Sequence, residues 1–114
     1  IQVGLRTVND HHREQFRRFG VEVIEAGRVR DGLRLETATP VYVSIDMDGL
    51  DPAFAPGVSH REPGGLSTRQ VIDLVHGVEQ PIVAADIVEY NPRRDRGHAT
   101  ADAAGALISA ITPL

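Results

Sequence analysis

Apolar residues recur along this chain in short blocks, separated by polar stretches marked with glycine and proline. Ile1 to Leu5 is the first block and predicts a strand, followed by Thr7-Val8-Asn9-Asp10, a cluster suited to starting a helix. That helix is expected over Asn9 to Phe19, with Gly20 closing it in the left-handed conformation glycine tolerates. Val21 to Ile24 alternates as a second strand would. The periodicity then fails from Ala26 to Thr39, where Gly27, Gly32 and several arginines predict a loop with room for one helical turn. Pro40 introduces Val41-Tyr42-Val43-Ser44-Ile45, the strongest strand pattern in the chain. Between Gly49 and Leu66 there are three prolines and four glycines in eighteen residues, which predicts a long loop, either ordered or disordered.

Ser67-Thr68-Arg69-Gln70 has the spacing of a capping box, in which the serine and glutamine side chains each satisfy a backbone N–H at a helix start. Val71, Leu74, Val75 and Val78 form an apolar stripe behind it, so a helix follows. Ile82 to Val88 predicts a buried strand, and Thr100 to Ile111 an alanine-rich helix before Pro113. Strands alternating with helices imply parallel pairing through right-handed crossovers, hence a layered α/β sheet.

Composition narrows the possibilities. The chain has 114 residues and a formal net charge of -4, which suits a single α/β domain with one modest core. It contains no cysteine, which excludes disulfide scaffolds and thiolate metal sites. All twelve basic residues are arginines, scattered or beside acids, so they form no stripe for nucleic acid. No run of apolar residues is long enough for a membrane span and no signal-peptide pattern appears, so the expected location is the cytosol. The chain opens on Ile1, inside its first expected strand and without a methionine, which suggests a piece of a longer protein.

The candidate chemistry lies at the ends of two strands. Alternation places Val41, Val43 and Ile45 on one face of the central strand and Tyr42, Ser44, Asp46 and Asp48 on the other. Two carboxylates then leave the carboxyl edge of a parallel sheet together, where ligands bind in such folds. Like charges so close repel unless a cation lies between them, and a pair of divalent ions would satisfy both; the alternative is two solvated turn residues. Asp51, before Pro52, is expected to shape the loop or orient a ligand rather than to bind metal. Glu89 emerges after Ile82 to Val88 at the same edge and could hold a cationic substrate, or pair with Arg93 or Arg94. Asp86, three residues earlier, is expected to face the other way as a hydrogen-bonded structural acid. Of five histidines, only His60 is placed to overlook the aspartates, as a substrate-loop residue or by simple packing. His11 and His12 are expected on a solvated helix face.

The segment VYVSIDMDGLDPAFAPGVSHREPGGLS, Val41 to Ser67, resembles the S-x-D-x-D-x-x-D-P signature of the ureohydrolases, the arginase and agmatinase family. GLRTVNDHHREQFRRFGVEV and DIVEYNPRRD resemble that family's flanking segments in the same order, so the resemblance covers nearly the whole chain. The GVSHREPGG form is more similar to plant-type arginases than to agmatinases. The resemblance implies the carboxyl-terminal portion of an arginase-like fold, a three-layer parallel β-sheet flanked by helices, with residues 1–114 as one partial domain. It further implies a hydrolase with two Mn2+ ions per complete site, cleaving a guanidino substrate to urea and an amine, with arginine favoured over agmatine. Asp46 and Asp48 would be metal ligands, and Glu89 would hold the guanidinium with His60 beside it. The family's histidine-bearing G-G-D-H and D-A-H-x-D segments do not occur here, so the chain alone is expected to be inactive. Ala26 to Thr39 is also shorter than the family's helix-bearing connection. The family's habit implies a homo-oligomer, trimeric or hexameric, with no nucleic-acid or membrane partner. A non-catalytic fragment or binding module is the reading from another class.

Overall fold

A computed structural model describes residues 1–112 of the chain. The elements run in the order β1 (Gln2–Leu5), α1 (Asp10–Phe19), β2 (Val23–Glu25), β3 (Val41–Asp46), α2 (Thr68–His76), β4 (Ile82–Val88) and α3 (Ala99–Ile111). Single 3-10 turns span Ala26–Arg28 and Met47–Gly49. Pro113, expected to stop the last helix, lies outside the described residues.

Local sequence accounts for most of these boundaries. Asn9 accepts the His12 N–H at 2.9 Å to start α1, and Gly20 ends it with φ +63°. The expected capping box opens α2, with Ser67 Oγ accepting the Gln70 N–H at 3.1 Å and Gln70 Oε1 accepting the Ser67 N–H at 2.9 Å. The stretch from Ala26 to Thr39 contains the one helical turn allowed for it, and Leu35 then bridges to Val78.

The strands pair in parallel as expected, but in two separate two-stranded sheets, β1 with β2 and β3 with β4. The edges of β1 and β3 line a common cleft of about 680 Å³, floored by Leu66, Val71 and Leu74. Arg6 at the end of β1 reaches Asp48 and Leu50 at the end of β3, so both carboxyl ends lie on one side of the molecule. α2 and α3 pack against each other, burying Val71, Leu74 and Val75 from one and Ala103 and Leu107 from the other.

The long glycine- and proline-rich loop is ordered and forms much of the core. Met47, Leu50, Ala55, Val58 and Leu66 are each no more than 4% exposed, and they share the core with Ile45 and Leu107. Each large apolar side chain buried this way contributes about 1.5–3 kcal/mol, which offsets the entropy of ordering so irregular a segment. Backbone bonds close the neck of the loop, from the Asp51 N–H to the Leu66 carbonyl at 2.9 Å and from the Leu66 N–H to the Gly49 carbonyl at 3.1 Å. Its middle is fastened at Gly57, whose N–H reaches the buried Thr100 hydroxyl at 2.7 Å and whose carbonyl accepts the Asn91 N–H at 2.7 Å. A Cβ at Gly57 would stand 2.9 Å from Thr100 Oγ1 and from Asp95 Cβ, so only glycine allows this approach.

α3 has no cap from His98, the residue at its N-cap position. Asp95 takes that role from outside the helix, accepting the Thr100 and Ala101 N–H groups at 3.0 Å each and the Arg96 N–H at 2.8 Å. Desolvation opposes its charge, yet these donors and the Thr100 hydroxyl hold the carboxyl at about 2, below the ordinary 3.8.

Two outcomes follow from this packing. Leu50→Ala should destabilise the fold by about 2–5 kcal/mol, read from denaturant unfolding, because it leaves a cavity where loop and helices meet. Asp95 is depressed in the folded state, so its contribution is complete above 3.8 and lost as the pH falls toward 2. The stability gap between wild type and Asp95→Asn should therefore shrink across that window and stay constant above it.

Candidate functional site

The site grows from the alternation of β3. Tyr42, Ser44 and Asp46 lie on its exposed face while Ile45 is buried and Val41 and Val43 half-buried, as the hydrophobic pattern predicts. Asp46 ends the strand and caps the 3-10 turn that follows, its Oδ1 accepting the Asp48 N–H at 2.8 Å. The turn brings Asp48 to the same edge, and burial of Met47 at 0% exposure fixes it there.

The two carboxylates are poorly satisfied. Asp48 Oδ1 is buried with no hydrogen-bond partner among the described residues. Removal of the Asp46 carboxylate from water raises it above the ordinary 3.8, with the Asp48 charge adding to this and the Asp48 N–H opposing it. An uncompensated buried carboxylate oxygen beside a second acid is costly, and a cation removes that cost. Oxygen donors of this type suit Mn2+. The described residues hold no group of three or more potential ligands, so the pair fits part of a coordination sphere.

Asp51 behaves differently, as expected of it. Its Oδ1 accepts the Ala53 N–H at 2.9 Å and its Oδ2 accepts those of Gly64 and Gly65 at 2.7 and 3.2 Å, knotting the two ends of the loop together. These donors, the Ala53 and Gly64 N–H groups foremost, keep its carboxyl below the ordinary range.

Sheet register brings Glu89 to the same place. Asp46 pairs with Val88, so Glu89 is the next residue beyond, at the carboxyl end of the adjacent strand. It is exposed and has φ +64°, a left-handed conformation costly for a residue with a Cβ. The alternative pairing with Arg93 or Arg94 is not formed among the described residues. Arg94 instead donates to the Ser59 carbonyl at 3.1 Å.

His60 lies at the rim, its Nδ1 3.5 Å from Asp48 Oδ2, with a side chain 88% exposed. It therefore overlooks the aspartates rather than packing into the loop. Asp86 is half-buried, and its Oδ2 accepts the Tyr42 hydroxyl at 2.6 Å, as expected from its position. Its Oδ1 is buried without a hydrogen-bond partner among the described residues, as Asp48 Oδ1 is, but with no second acid converging on it at the sheet edge. His11 and His12 are exposed on α1, where the His12 ring serves the cap by accepting the Asn9 N–H at 3.5 Å.

Sequence reasoning passed over Arg6, one residue beyond β1. Its guanidinium donates to the Glu62 carbonyl at 2.8 Å, to the Leu50 carbonyl at 3.3 Å and to the Asp48 carbonyl. Its Nε lies 3.9 Å from Glu62 Oε2. A single arginine after an apolar strand is a weak signal; only the sharing of one edge by β1 and β3 reveals what it does.

Comparison with known proteins places this geometry in context. The family model described as Arginase family matches residues 1–112. Arginase 1, mitochondrial, of Arabidopsis thaliana is 48% identical over 117 residues, covering 96% of this chain and 33% of the relative. The solved arginase from Medicago truncatula superposes with a TM-score of 0.87 at 43% identity, covering 97% of this chain and 38% of that one. A triple mutant of a T. brucei arginase-like protein, solved bound with Mn2+, superposes with a TM-score of 0.82 at 30% identity over 96% of this chain and 42% of that one. The chain thus spans about a third of the length of the curated relatives it matches. The expected cytosolic location does not stand, since relatives matching this chain at 46–48% identity, Arginase 1 and Arginase 2 of Arabidopsis thaliana and Arginase 1 of Oryza sativa subsp. indica, carry names that assign them to mitochondria and, for Arginase 2, also to chloroplasts.

The left-handed backbone at Glu89 generates a separable outcome. Glu89→Gly should stabilise the fold by about 1 kcal/mol in denaturant unfolding, because glycine adopts that conformation without a steric penalty.

Proposed function

This chain belongs to the arginase family, and from that membership we propose that it supplies part of a manganese-dependent site hydrolysing the guanidino group of L-arginine to urea and L-ornithine. The observation that carries the proposal is the pair Asp46 and Asp48 at one sheet edge, with Asp48 Oδ1 buried and without a partner among the described residues. Asp46 and Asp48 would hold the metal. A Mn2+ pair, when bound, makes a water nucleophilic near neutral pH.

The chain's own residues would then bind and orient. Glu89, one residue past the partner of Asp46, can accept two N–H donors from the planar guanidinium, a geometry that fixes its plane as well as its position. Its strained backbone is the form in which such constraints are commonly stored at functional sites. His60, exposed and beside Asp48, would line the approach of the substrate. The GVSHREPGG segment and the similarity to plant arginases support arginine over agmatine as the guanidino compound. The remaining ligands and a proton-carrying histidine would come from segments of the G-G-D-H and D-A-H-x-D kind, outside residues 1–114. The whole activity is therefore proposed for the native gene product rather than for these residues by themselves.

Metal content and urea release test the proposal together. Asp48→Asn in the native gene product should lower the Mn2+ bound per chain and reduce urea production with it. Glu89→Gln should leave the Mn2+ content unchanged while the KM for arginine rises steeply. Wild-type protein with neither Mn2+ nor urea release would refute the reading and favour a non-catalytic binding module.

A further inference from the structure

We propose that Arg6 is a positioning residue for the metal site, holding Asp48 in place by clamping both limbs of the acidic loop to the end of β1. The proposal deepens the manganese reading and rests on it. It stands on the number and kind of partners that one side chain engages. The outgoing limb gives it the carbonyls of Asp48 and Leu50, and the returning limb gives it the carbonyl and carboxylate of Glu62. These limbs are twelve or more residues apart in sequence, and the Arg6 side chain between them is only 13% exposed. Thr7, the next residue, adds a hydroxyl donor to Glu62 Oε1, so β1 holds the returning limb twice.

The space around the guanidinium is built for it. A Cβ on Gly65 would collide with Arg6 Nη1 and with the Asp51 backbone, so the loop needs glycine there to let the guanidinium pass. Three carbonyls facing one group at different angles match the fixed fork of an arginine, with its five N–H donors. Lysine carries the same charge on a single nitrogen and cannot span both limbs.

The consequence reaches the metal through the backbone. Asp48 is held from two sides, by Asp46 Oδ1 at its N–H and by Arg6 at its carbonyl, so the direction of its side chain is set at both peptide units. Arg6 acts through the peptide group of Asp48, to whose carbonyl it donates. Partners of this kind typically change metal affinity by about 10- to 100-fold when removed.

The test measures Mn2+ affinity and stability side by side in the native gene product, for wild type, Arg6→Lys, Arg6→Ala and the remote core variant Leu107→Val. Arg6→Lys should weaken Mn2+ binding by about 10-fold or more with an unfolding midpoint close to that of wild type, and trypsin should cleave after Arg61 faster than in wild type. Arg6→Ala should weaken binding at least as much and regain part of it with added guanidinium at millimolar concentration. Leu107→Val should lower stability without changing Mn2+ affinity. Mn2+ affinity in Arg6→Lys within twofold of wild type, or losses that follow stability alone across all variants, would overturn the assignment. Wild type that binds no Mn2+ would overturn the manganese reading itself, an outcome distinct from wild type that binds while Arg6→Lys binds equally well.

Discussion

The site depends on the burial of an irregular loop. Met47, Leu50, Ala55, Val58 and Leu66 carry no regular secondary structure beyond one 3-10 turn, yet they are among the least exposed side chains in the molecule. Because they anchor the loop and its first turn from within, they seat Asp48 next to Asp46, the last residue of β3, and bring His60 to the rim beside it. Removing the apolar anchors would leave the acids on a flexible tether, where two like charges separate into solvent instead of converging. The glycines at 57 and 65 serve the same end, since each opens a gap for a group that fastens the loop, Thr100 in one case and Arg6 in the other.

Environment sorts the acids into two kinds. Asp51 and Asp95 each receive three backbone N–H groups and are held below the ordinary carboxylate range, so both are content as anions and both fasten loops or helix ends. Asp46 is pushed the other way, and Asp48 keeps a buried oxygen with no donor among the described residues. The fold thus gives three backbone donors to each of the acids that fasten it, but only one, the Asp48 N–H, to Asp46 and none among the described residues to Asp48 Oδ1. A carboxylate denied donors in this way is poised to take a cation.

Much of this was legible before any coordinates. The alternation Val41-Tyr42-Val43-Ser44-Ile45 correctly predicts which face carries Asp46, and Ser67 with Gln70 correctly predicts the start of α2, because both signals are local. The fate of the Gly49 to Leu66 loop was not legible, because its order comes from tertiary contacts with α2, α3 and β1 that no periodicity encodes. Arg6 was invisible for the same reason: its partners lie 42 to 56 residues away. Asp95 is simply an acid beside Arg94 in sequence, whereas in the fold its carboxylate takes backbone donors of α3 and Arg94 donates to the Ser59 carbonyl. The division of the strands into two sheets also escapes a pattern that records which segments are strands but not which edges meet.

The most direct measurement is an anomalous difference map, collected at the manganese absorption edge, from crystals of the native gene product grown with Mn2+. The account predicts density between the Asp46 and Asp48 carboxylates, with Asp48 Oδ1 turned onto it. A map with no manganese at those two side chains, in a protein whose loop from Gly49 to Leu66 is folded as described, would contradict it.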